Sequence, residues 1–76
     1  MMENTIKELT LLLIYLTSWQ EEVMSTKIQR SWKGYPFEVL DELKEENYIS
    51  GSKTAKSVYL TAEGIIKAKE LMGKYV

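Results

Sequence analysis

The chain has no cysteine and no histidine. The first absence excludes disulfides and thiolate zinc sites. The second removes the usual proton shuttle at neutral pH and the commonest metal ligand. One proline and four glycines in 76 residues exclude a linker-like or low-complexity chain. Neither sign of charge dominates. Ten bases stand against eleven acids, so the net charge of −1 draws the chain to neither nucleic acid nor membrane as a whole. Long hydrophobic runs are missing too. The run LLLIYL at 11–16 has six residues, where a bilayer crossing needs about 20. The opening MMENTIKE places acid where a secretion signal needs base, so a cytoplasmic location is expected. What is present is 45% hydrophobic and 28% charged, the balance of one small soluble domain, 1–76, with a modest core.

Helical periodicity opens the chain. TIKE fits a capping box in which Thr5 and Glu8 satisfy end amides, with Asn4 as a rival cap. Ile6, Leu9, Leu12, Leu13 and Leu16 follow at helical spacing. Leu11, Ile14 and Tyr15 fill the other faces. A helix apolar on most sides must be covered on most sides. Either the rest of the chain wraps it or a second subunit covers Leu11, Ile14 and Tyr15, and the homodimer is the reading preferred. The segment 18–34, SWQEEVMSTKIQRSWKG, reads as a loop over 20–26. A short helix over 27–33 would then set Ile28 and Trp32 on one face, with a loop as the alternative.

Beyond Pro36, at home in a first helical turn, Val39, Leu40 and Leu43 form a stripe with Phe37 at its edge. Glu38, Asp41, Glu42 and Glu45 fall on the opposite side. Asn47 tolerates the left-handed conformation that ends many helices. SGSKTAK reads as a turn and SVYL as a short strand. Thr61 is a good cap for a last helix. A staple of Leu60 on Ile65 crosses that cap. Gly73 is expected just past the helix end.

The run LDELKEENYISGSKTAKSVYLTAEGIIKA resembles the second half of a winged helix domain. Leu40, Leu43, Tyr48, Ile49, Val58, Leu60, Thr61 and Gly64 stand where that pattern wants them. LLIYLTSW, RSWKGYPFEVLDELKEENYI and KSVYLTAEGIIKAKEL together are similar to a family of short prokaryotic proteins known only as a domain of unknown function. Asn47 stands where such proteins commonly carry glycine. Both resemblances imply a mainly α fold of three to four helices with a small β-hairpin, an α+β winged helix-like domain. No functional residue comes with the narrower one. The broader one implies DNA binding by the helix after Pro36, as a dimer.

The residues argue with that default. From Tyr35 to Asn47 there are five acids and one base, a net −4. Pressing such a face against phosphates costs about 1 kcal/mol per close pair even at the dielectric of water. The bases lie elsewhere: Lys27, Arg30 and Lys33 before the helix, Lys53 and Lys56 in the expected wing. Trp32 and Tyr35 sit among the first group. A basic cluster with interleaved aromatics is a backbone-binding signature. The competing reading is a solvated face with Trp32 inside, and it is preferred because large aromatics are mostly core.

Catalysis finds little support. Ser25, Ser31 and Ser50 have no histidine to activate them. Asp41 with Glu45, or Glu38 with Glu42, pair at helical spacing on a convex face rather than in a cleft. SGS lacks the lysine spacing of a phosphate loop. Hard cations want converging ligands from a loop. No enzyme, cofactor or metal is therefore expected. DNA binding through the backbone contacts of Lys27, Arg30, Lys33, Lys53 and Lys56 leads. A protein-interaction module using Glu38, Asp41, Glu42 and Glu45, with no DNA bound, is the alternative.

Overall fold

The computed structural model describes residues 2–51 and 56–76. Helix α1 spans Met2–Leu16, strands β1 and β2 span Trp19–Val23 and Thr26–Trp32, and helix α2 spans Phe37–Glu45. Strands β3 and β4 span Ile49–Ser50 and Ser57–Leu60, and helix α3 spans Ala62–Tyr75. The strands form one antiparallel sheet in the order β1-β2-β4-β3. The α+β class stands, with a sheet twice as wide as a single hairpin.

The largest correction lies in segment 18–34. It is neither loop nor helix but the β1–β2 hairpin. Val23 pairs with Thr26 across a two-residue turn in which Met24 and Ser25 both take positive φ, 50° and 67°. Two such residues make the primed turn whose twist suits a hairpin. Ile28 and Trp32 do share a face, but as strand residues an even number apart. The element directly before α2 is strand β2, so no helix adjoins α2 there to complete a helix-turn-helix.

The core lies between the helices and one sheet face. Alternation turns Ser31, Val58, Leu60 and Ile49 inward, all buried. Leu11, Ile14, Leu40, Leu43 and Leu71 meet them from the three helices. This overturns two residues of the expected dimer interface. Leu11 and Ile14 are 1% and 0% exposed and belong to the chain's own core, and Tyr15 packs against that core. The exposed side of α1 is instead Ile6, Leu9, Leu13 and Leu16. The start of α1 also differs, because Asn4 and Thr5 lie inside the helix. Glu8 is drawn to α3, accepting hydrogen bonds from Lys74 Nζ at 2.9 Å and Tyr75 Oη at 2.7 Å.

The joint between α2 and α3 follows the sequence closely. Asn47 has φ 64°, and its N–H and that of Tyr48 return to the carbonyls of Lys44 and Leu43 at 3.0 and 2.9 Å. That is a Schellman ending. Thr61 caps α3, its Oγ1 accepting from Gly64 N at 3.0 Å. Gly64 is there for contact: a Cβ on it would lie 1.9 Å from the Tyr48 carbonyl oxygen. Gly73 does not end the helix, since α3 continues to Tyr75.

Candidate nucleic-acid interface

The sheet has a second face, and among the described residues no helix covers it. Trp19 of β1, Arg30 of β2, Tyr59 of β4 and Ser50 of β3 stand in register in one row across it. Residues paired in register share a face, so this row and its neighbours Ile28, Trp32 and Ser57 point away from the core. Strand alternation places them there: TKIQRSW puts Ile28, Arg30 and Trp32 on one side and Gln29 and Ser31 on the other. Gln29 and Ser31 tie the hidden side down. Gln29 Nε2 donates to Ser18 Oγ at 2.8 Å, and the Ser31 and Thr17 hydroxyls meet at 3.2 Å.

Trp19 and Trp32 pack with ring centroids 5.1 Å apart and planes tilted by 47°. Such pairs add about 0.5–1.5 kcal/mol beyond area burial. Trp19 is half-buried, but Trp32 is 63% exposed, which corrects the expectation that it lies in the core. Arg30 lies between the aromatics. Its Nη1 donates to Ser57 Oγ at 3.2 Å, and its Cζ is 5.9 Å from the Tyr59 ring centre. Its Nε lies 3.5 Å from Glu21 Oε2, an ion-pair distance but too long for a hydrogen bond, and makes none. Arg30 is thus held in place by neighbours on the strands to either side of it, β1 and β4.

The sequence's basic candidates separate. Lys33 and Lys56 meet through their backbones at the end of the sheet, where Lys33 N donates to the Lys56 carbonyl at 3.1 Å, but the Lys33 side chain turns to the α2 side of the sheet, away from Trp32. Lys27 sits at the far end of β2 opposite Glu22 and lines a hollow with Tyr15, Gln20 and Lys69. It does not join Arg30. Lys53 lies outside the described residues. Glu38, Asp41, Glu42 and Glu45 are all exposed on α2, as periodicity required. They do not converge. Asp41 shares a hollow with Lys33, Phe37 and Lys44, while Glu38 and Glu42 flank Ile6 and Val39. Among the described residues, no three acidic side chains gather within reach of one metal ion.

Sequence reasoning missed Trp19 and Tyr59 as members of a surface. The signal was present: WQEEV and KIQRSW alternate with period two. The loop assigned to 20–26 and the helical turn assigned to 27–33 hid it.

Another cleft lies on the helical side, lined by Lys7, Glu8, Leu11, Glu46, Tyr48 and Lys67, with a volume of about 200 Å³. The Lys7–Glu46 ion pair lies in its wall. The hydrogen bond to Glu46 holds Lys7 above the ordinary lysine range. Hydrogen bonds from Tyr75 and Lys74 hold Glu8 below the ordinary carboxyl range. The partners are satisfied, which makes this a tie between helices rather than a reactive centre.

Among the described residues, no helix is long and apolar enough to cross a membrane. No curated protein and no solved structure matches the chain significantly. One family does match, over residues 2–76, and the chain therefore belongs to the family described as a domain of unknown function, DUF6429.

Proposed function

We infer that this protein is a non-catalytic binding module whose ligand is nucleic acid, held on the open sheet face and not by α2. The supporting observation is the juxtaposition at one end of that face. Trp32 stands exposed against Trp19, with Arg30 in the same face and the exposed Lys56 at the end of the sheet. An aromatic ring open to solvent near a cation suits unpaired bases, which stack on the ring while a lysine meets the backbone. Arg30 is anchored and its charge is shared with Glu21, so its role is to hold the platform. Lys56 is the phosphate contact. The acidic face of α2 keeps duplex grooves away. The order α2-β3-β4-α3, which the second half of winged helix domains shares, supports nucleic acid as a ligand class by analogy of fold alone.

A protein partner is the second reading, favoured by the four exposed carboxylates of α2. Electrostatic complementarity with a basic partner would set orientation more than affinity.

The test is fluorescence anisotropy with labelled random single strands and duplexes at about 50 and about 200 mM salt. Micromolar binding that favours the single strand and falls with salt is expected. Trp32→Ala should weaken it by about 1–3 kcal/mol. Lys56→Glu should lessen the salt dependence. Absence of binding at the lower salt would remove this reading and direct the search to a partner for α2.

A further inference from the structure

Helix α1 is apolar on two opposite sides, and only one of them is used by the fold. Leu11 and Ile14 face inward. Ile6, Leu9, Leu13 and Leu16 are 48%, 44%, 46% and 54% exposed, although each is a large aliphatic. At 100° per residue these four lie on one narrow stripe directly opposite Leu11. Their spacing of three, four and three residues is that of a coiled-coil seam.

On α1 the stripe is edged by Thr5 and Thr17, while Glu38 and Glu42 of α2 flank it at Ile6. Lys7 and Glu8 of the helix are committed to α2 and α3 through Glu46 and Lys74. The fold thus draws these two charges away from the stripe and leaves an apolar ridge outward. A ridge of this kind on a monomer marks an interface.

We propose that the ridge is covered by α1 of a second copy of this chain, packed antiparallel about a two-fold axis level with Leu11. The spacing identifies the occupant, because three, four, three reads the same from either end. An antiparallel pairing sets Ile6 against Leu16 of the second copy and Leu9 against Leu13 of the second copy, with Thr5 against Thr17 at the rim. Every position on the ridge then meets a matching one, as an isologous contact requires. The opposed helix dipoles attract, whereas a parallel pair would set like ends together. Neither copy brings Lys7 or Glu8 into the seam. Four half-exposed side chains from each copy make a small interface, below the roughly 1,200 Å² of standard specific complexes and in the class of weak ones. The dimer is accordingly a micromolar one. It leaves the open sheet face free and is independent of the nucleic-acid reading.

Sedimentation equilibrium of the full chain, from about 1 μM to about 1 mM, spans the expected range of affinity. The mass should rise from monomer to dimer, and Leu13→Glu should hold it at monomer while circular dichroism keeps the native spectrum. A mass that stays monomeric throughout, or a Leu13→Glu chain that still dimerises, overturns the proposal. Orientation is read by cross-linking, which the cysteine-free chain makes clean. Ile6→Cys mixed with Leu16→Cys should form a disulfide-linked pair, while Ile6→Cys alone should not. In the antiparallel arrangement its two copies lie about 15 Å apart along the seam, ten residues at 1.5 Å each. Ready self-linking of Ile6→Cys would mean a parallel pair and would overturn the antiparallel geometry.

Discussion

Gly64 shows how one residue holds two elements together. Its missing side chain lets the first turn of α3 sit on the Tyr48 carbonyl, whose oxygen also accepts from Thr61 N at 3.1 Å. Gly64→Ala would force a methyl group to 1.9 Å from a backbone oxygen, and backbone cannot swing aside as a side chain can. We expect it to cost about 3 kcal/mol, at the upper end of overpacking. In a domain of this size that lowers Tm by roughly 10–25 °C. Thermal melts followed by circular dichroism check this, and an unchanged Tm would mean that α3 packs differently. The LTAEG pattern marks the position, because a cap at Thr61 makes Gly64 its third helical residue, but the contact with Tyr48 needs the tertiary structure. Asn47 was equally legible, since few residues other than glycine accept its φ. Trp32 was not. A tryptophan reads as core by default, and only its register opposite Ser57 shows that it points outward.

At the scale of elements, the β1–β2 hairpin is where sequence reading failed, and its turn explains why. Met24-Ser25 carries none of the Asn-Gly or Asp-Gly chemistry that marks a primed turn. Both residues sit at positive φ with a Cβ to accommodate. The ladder from Trp19–Arg30 to Val23–Thr26, continued by β2 onto β4, overrides that local preference. Replacing the pair by Asn-Gly should therefore stabilise the protein by about 0.5–1 kcal/mol, relieving the turn without touching the core. Urea unfolding would show a higher midpoint at an unchanged slope. A lower midpoint would mean that Met24 makes contacts worth more than the strain. The helices were easier, because periodicity over nine residues or more has few rivals. Even there the boundaries moved, with α1 beginning before its expected cap and α3 running through Gly73.

The whole molecule is tied at its edges by charge. Glu8 joins α1 to Lys74 and Tyr75 at the end of α3. The carboxyl is held below its ordinary value of 4.5, first by Tyr75 and then by Lys74. A lowered native value stabilises the fold above pH 4.5, and that contribution is lost as pH falls through the lowered value. The lysine acts in the opposite sense. Held above 10.5 by Glu8, Lys74 supports the fold below that pH and ceases to do so above it. Melts of the native chain and of Glu8→Gln from pH 7 down to about pH 3 should differ at the start and converge at the acid end. A gap that persists in acid would show that Glu8 acts through packing. The site follows the same logic of scale. The acidic face of α2 needs only a helix, so it was visible in the sequence. The Trp19, Arg30 and Tyr59 row needs three strands in register, so it was not.

The sequence by itself determined the α+β class, the α2 and α3 helices with the caps at Asn47 and Thr61, the β4 strand, the acidic face and the exclusion of thiol and imidazole chemistry. Each rests on residues within a few positions of one another, where periodicity and capping act. Only the tertiary structure decided that 18–34 is a hairpin, which side of α1 is core, and which aromatics and cations share a surface. Those outcomes depend on strand register and on which helix face the sheet takes, and both are set by contacts between residues far apart in the chain.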